Sequence, residues 1–215
     1  MRTRIRIGLA VVALVMTVPA EAAKKPLKVK LRFSPQENVT AAVPNIDQAS
    51  TTRPIQVVSL TDERALDDKA LIGENRESST PVPVYALSSV AEFATDALRT
   101  CLLGWGAKIA PDADLVLKGA IVTLFVTEGN TYVANARLRF RLESRAGEAL
   151  WEGLAAGDAT RWGRSLSTDN YNEEISDALK KAYADLLSNV ALQDAWAGRA
   201  KGARAGQSSI AQAPR

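Results

Sequence analysis

Two apolar runs joined at a Gly-Asn pair constrain this 215-residue chain more than any other feature. Between Ala113 and Leu142, the first run reads Leu115-Val116-Leu117 and then Ala120-Ile121-Val122-Thr123-Leu124-Phe125-Val126, rich in β-branched residues. Glu128-Gly129-Asn130-Thr131 interrupts it. In the second run Tyr132, Ala134, Ala136, Leu138, Phe140 and Leu142 share one parity, while Asn135, Arg137, Arg139, Arg141 and Glu143 share the other. Alternation with period two over that length marks a strand with one face on a core and one in water. The Gly-Asn pair predicts a tight hairpin, because glycine supplies a positive φ and asparagine tolerates one.

The flanking sequence supplies helices to cover the apolar face. Ser88 to Leu103 predicts the first, opened by the capping-box pair Ser89 and Glu92. Val90, Phe93, Ala94, Ala97, Cys101 and Trp105 fall on one stripe of it, and Gly104 and Gly106 end it. The second is predicted over Tyr171 to Gln193, with Tyr171, Ile175, Ala178, Leu179, Ala182, Leu186 and Val190 on its apolar side. Further strands are expected at Lys28–Phe33, Pro54–Leu60, Val82–Leu87 and Glu148–Trp162. Ser34–Arg53 reads as a linker and the charged stretch Thr61–Thr80 as a long loop. Helices beside such strands predict an α+β two-layer domain, a mostly antiparallel sheet with two helices on one face.

The chain opens with Arg2, Arg4 and Arg6, an apolar run from Leu9 to Val18, and Ala20-Glu21-Ala22. That order predicts a secretory signal peptide over residues 1–22. The run is shorter than the roughly 20 residues a membrane span needs, and no cysteine follows it to take a lipid. A periplasmic protein with no transmembrane span is expected. Residues 23–53 are then an N-terminal strand and linker, 54–194 the α+β domain, and 195–215 a disordered basic tail rich in Ala, Gly, Ser and Gln. The formal charge of +3 sits largely outside the domain, since residues 23–194 total −3. No basic footprint for nucleic acid is left.

The chain has no histidine and one cysteine, Cys101. Imidazole-based catalysis, imidazole metal ligation and an intrachain disulfide are therefore excluded. Asp62, Glu63, Asp67 and Asp68 could place carboxylates for acid–base work or hold Ca²⁺, but lack the EF-hand spacing. A solvated loop with Arg64 and Lys69 as local partners is the other reading. Arg137, Arg139 and Arg141 are the sharpest candidates, three guanidinium groups about 7 Å apart along one strand. They suit an acidic protein, lipid headgroups or an anionic envelope polymer such as a glycan; the alternative is a face paired with acids such as Glu152 or Asp158. Cys101 reads as a core residue, and Trp105, Trp151 and Trp162 as packing or the lining of a ligand pocket.

The strand ending in Asp62-Glu63-Arg64, Ile72-Gly73 downstream, the helix Val90–Leu103 before the Glu128-Gly129-Asn130 hairpin, and Asp177-Ala178-Leu179 in the last helix resemble the YajG-type family of small bacterial envelope proteins. Members are typically lipoproteins, and this chain departs from them in lacking the lipid-bearing cysteine. The resemblance implies a binding or structural role in the envelope. The expectation is therefore a non-enzymatic periplasmic binding or assembly protein with no cofactor, no catalytic residue and no metal site. Its expected partner-binding residues are Arg137, Arg139, Arg141, Asp62 and Arg64. A carboxylate-based hydrolase and a small-ligand-binding protein are the alternatives.

Overall fold

The long hairpin forms and nucleates the sheet. The computed structural model describes residues 25–36, 45–47 and 51–199; the leader and residues 200–215 of the tail lie outside the described residues. Strand β6 (Leu115–Glu128) pairs antiparallel with β7 (Thr131–Ser144), and β7 with β8 (Ala149–Trp162). Tyr132, Ala134, Ala136, Leu138, Phe140 and Leu142 are all fully buried. Burial of a large apolar side chain contributes about 1.5–3 kcal/mol, so this one row is a major share of the core.

The turn departs from the expected hairpin. Neither Gly129 nor Asn130 takes a positive φ. Glu128 pairs with Tyr132, which leaves a three-residue loop closed by Gly129 N–H donating to the Thr131 carbonyl. A two-residue turn would have needed the left-handed region; this one does not.

The other half of the sheet corrects the expectation of a mostly antiparallel arrangement. β2 (Ile55–Val57), β3 (Thr61–Asp62) and β4 (Leu71–Asn75) lie end to end along β6, each parallel to it. β5 (Val82–Ala86) runs antiparallel to β4, and β1 (Leu27–Val29) parallel to β5. The result is an eight-stranded mixed sheet with β1 and β8 at its edges. β3 and β4 fall within the stretch expected to be a loop. β4 is interior nonetheless, with Ile72 buried and Gly73 so close to β6 that a Cβ would lie 2.4 Å from the Val126 carbonyl.

Among the described residues, three helices complete the α+β fold where two were expected: α1 (Val90–Gly104), α2 (Thr168–Ser188) and α3 (Val190–Ala197). Ser89 caps α1 by accepting from Glu92 N–H. Asn189 divides the last two, since its extended backbone stops α2 while its side chain caps α3 at Leu192 N–H, 3.1 Å. That break turns Val190, expected on the apolar side, out to solvent. α3 runs three residues past the domain boundary expected at Asp194, and its Trp196 is buried. Tyr171 and Tyr183 of α2 meet Tyr132 and Phe140 edge-on, at centroid distances of 5.3 and 6.5 Å. Tyr183 also donates to the Ala94 carbonyl of α1 at 2.7 Å.

The described residues between β1 and β2 leave the sheet and lie along α2 and α3. Arg32, Ser34 and Gln36 donate backbone N–H groups to Asn172, Ser176 and Asp177, at 2.9, 3.0 and 2.8 Å. Further on, Asp47 N–H donates to Gln193, and Arg53 exchanges hydrogen bonds with Trp196. Two extended residues advance about 6.6 Å and four helical residues about 6 Å. Arg32 and Ser34 can therefore keep step with Asn172 and Ser176, side chains supplying the acceptors that a neighbouring strand would.

α2 approaches β8 at Gly157, where a Cβ would lie 2.0 Å from the Ala178 carbonyl and 2.5 Å from Ala182 N. Both obstacles are backbone. Gly157→Ala should therefore cost about 1–3 kcal/mol in thermal or denaturant unfolding, whereas Gly129→Ala, with open space around it, should leave stability near wild type.

Candidate functional site

The outward face of β6–β8 carries the predicted arginine row. Arg137 makes a two-point contact with Asp158, at 2.8 and 2.9 Å, and Asn135 donates to the same carboxylate. Arg139 reaches Glu63 at 2.5 Å. Arg141 holds Glu143 at 3.0 Å, and Lys118 holds its other oxygen at 2.7 Å. Hydrogen bonds from Arg137 and Asn135 keep the Asp158 carboxyl below its usual pKa, and that from Lys118 does the same for Glu143. Each arginine of the row thus carries a counter-ion supplied by this chain. Asp158 is one of the acids expected for that pairing; no ion pair joins the other, Glu152, among the described residues.

Beside the row, a groove of about 500 Å³ lies between β3 and β6–β7, lined by Thr61, Glu63, Lys118, Arg139, Arg141 and Glu152. On the same face β8 presents Leu154 and Trp162, 72% and 83% exposed. Their parity in the β7–β8 register matches that of Asp158. Trp162 therefore lines no pocket with Trp105 and Trp151, which pack against the core.

Arg64 is placed quite differently. It is 2% exposed, and its five N–H donors are all used inside the chain. Nε and Nη2 grip Asp62 at 2.9 and 2.7 Å, Nη1 donates to the carbonyls of Leu71 and Leu124, and Nη2 also donates to that of Lys69. Burial pushes the Asp62 carboxyl up, but the Arg64 bonds outweigh it and leave its pKa low. Asp62 and Arg64 thus form an internal clamp across β3, β4 and β6, with no Arg64 donor left for a partner. Among the remaining acids of that stretch, Glu63 holds Arg139 and Asp68 accepts from Ala70 N–H.

Two buried carboxylates carry no signal in the sequence. Glu128, at the end of β6, accepts from Ser165 N–H, Leu166 N–H and the Tyr171 hydroxyl at 2.8–3.0 Å. Burial raises its pKa, and the hydrogen bonds around it, led by Tyr132 and Asn75, bring it below the ordinary value. Leu166 accepts a φ of 45° to make its contact, a strained conformation for a leucine. Glu174 of α2 is the opposite case. It is 1% exposed, and one of its oxygens has no hydrogen-bond partner. Burial and the charge of Asp177 raise its pKa to about 7, against the pull of Arg161 and Lys181. Cys101 is buried, and desolvation pushes its thiol to about 12, far from a reactive thiolate.

No protein-family model matches the chain, and no curated protein matches it. Solved structures do. Protein XCC0632 from Xanthomonas campestris, of the family DUF330, superposes with a TM-score of 0.50 at 12% identity, over 82% of this chain and 98% of that one. PelC from Paraburkholderia phytofirmans, crystallised as a dodecamer, gives 0.40 at 19% identity over 63% and 86%. Lipoprotein GNA1162 from Neisseria meningitidis gives 0.32 at 15% over 50% and 83%. The chain has the α+β fold of the first of these. No helix among the described residues is long and apolar enough to cross a membrane.

The two arginine environments predict different costs. Arg64→Ala strands a part-buried carboxylate and three carbonyls, so it should destabilise the domain by about 3–5 kcal/mol, whereas exposed Arg137→Ala should cost less than about 1 kcal/mol; equilibrium unfolding reads both. Glu174 makes stability depend on pH. Its folded pKa of about 7 lies above the ordinary 4.5, so the folded state binds the extra proton between these values and stability falls as pH rises through that window. Glu174→Gln should remove that slope and raise the thermal midpoint above pH 7.

Proposed function

We propose that this chain is a non-enzymatic protein of the bacterial cell envelope, exported to the periplasm and working by contact through the outer face of β6–β8. Kinship with the YajG-type proteins is part of the same reading. One observation carries it: Leu154 stands exposed beside arginines already neutralised in place, and Trp162 stands exposed farther along the same strand face. Tryptophan and arginine are the residues that most often anchor protein interfaces. An arginine that brings its own counter-ion asks for no anion from a partner. This favours a protein over the anionic polymer that the bare sequence row would suit. The engaged carboxylates at Asp62 and Glu63, the inert thiol of Cys101 and the lack of histidine support a role without catalysis.

A photo-crosslinking residue at position 154 or 162, activated in the native envelope, should yield a defined protein adduct. The variant Leu154→Ser with Trp162→Ala should lose its native partner at an unchanged thermal midpoint. Recovery of monomer alone, together with turnover of an added envelope substrate, would sink the proposal.

A further inference from the structure

Exposed cations without a counter-ion among the described residues also stand at the other edge of the sheet. Lys28 and Lys30 are exposed on β1 and the residue after it, and neither ammonium has a hydrogen-bond or ion-pair partner among the described residues. Arg32 continues the row at extended spacing and shares only the exposed Asp169, at 3.0 Å. Together with Asp169 they line a groove of about 490 Å³ whose walls include Leu31, Leu87 and Asn172, so three cations face one acid. Leu87 is 61% exposed beside this row of cations.

The charge distribution is strongly one-sided. The nine residues from Lys24 to Arg32 hold five bases and no acid, while residues 33–194 hold 15 bases and 23 acids. A negatively charged surface would attract the β1 edge and repel the body, which orients the molecule as well as binding it. The apolar side chain decides the kind of surface. Lysine and arginine heads flanking an exposed leucine match the boundary of a bilayer, where headgroup charge overlies acyl chains. A hydrated polyanion has no apolar layer to receive Leu87.

We infer that the β1 edge, through Lys28, Lys30, Arg32 and Leu87, is a docking surface for an anionic phospholipid membrane. The inference rests on the envelope reading only for access to such a membrane, and its test does not involve the Trp162 face. The exported protein is sedimented with phosphatidylcholine vesicles containing phosphatidylglycerol, and with pure phosphatidylcholine vesicles. It should bind only the anionic ones, and should be released when salt shortens the Debye length to about 3 Å. Each lysine near such a surface is worth about fivefold in affinity. Lys28→Glu with Lys30→Glu should therefore weaken binding by at least about 25-fold, with an unchanged unfolding profile because neither side chain has a partner to lose among the described residues. Leu87→Ser should weaken vesicle binding without altering its salt dependence. Equal binding by the charge-reversed variant would overturn the assignment. So would binding to soluble polygalacturonate as tight as to vesicles and unaffected by Leu87→Ser, which would make the edge a polyanion site. Loss of vesicle binding with crosslinking at Trp162 intact would separate this surface from the partner-binding face.

Discussion

The Arg64 clamp is the interaction on which the sheet depends. β2, β3 and β4 are two to five residues long, too short to hold a place beside β6 by ladder hydrogen bonds alone. A guanidinium inside their column gathers Asp62 from β3, carbonyls at Lys69 and Leu71 before and within β4, and the Leu124 carbonyl of β6. A buried cation costs heavily unless every donor and its charge are answered. Here they are answered by the segments that must be kept in register. The Asp62-Glu63-Arg64 and Ile72-Gly73 motifs behind the family resemblance thus find an architectural explanation. Glu63, next in sequence, turns the other way and meets Arg139.

What could be read from the sequence follows the range of the forces involved. The hairpin was legible because alternation is local and runs for a dozen residues, and the α1 cap because Ser89 and Glu92 are neighbours. β3 and β4 were not. Between them they carry glycine and charge, and their β6 partners lie 53 to 59 residues away in sequence. The arginine row was legible as a row but not as ion pairs, since Glu63 is 76 residues from Arg139. The exposure of Trp162 was hidden by weak alternation in β8, where alanine stands on both faces and the glycines on the inner one. Asn172, Ser176 and Asp177 did carry a signal: polar residues beside the apolar stripe of α2, whose purpose appears only when the N-terminal segment lies along them.

The two sheet edges differ in character. β8 has Ala156 N–H answered by Asp185 and the Asp158 carbonyl by Lys181, both from α2. Helix side chains thereby occupy the middle of an edge that would otherwise template strand addition. β1 is guarded by lysine alone. Five strand spacings separate them, about 24 Å, so a membrane at β1 would leave the Trp162 face free to meet a partner from the opposite side.

The segment lying along α2 also bears on how such a chain reaches its destination. Its hydrogen bonds join residues about 140 positions apart, Arg32 to Asn172 and Ser34 to Ser176. Contacts of such span form late, because the whole intervening chain must be ordered before they are made. A polypeptide passing N-terminus first through an export channel would carry β1 and the following segment across with no helix to receive them. In such a passage, closure of this segment would wait until α2 and α3 had arrived.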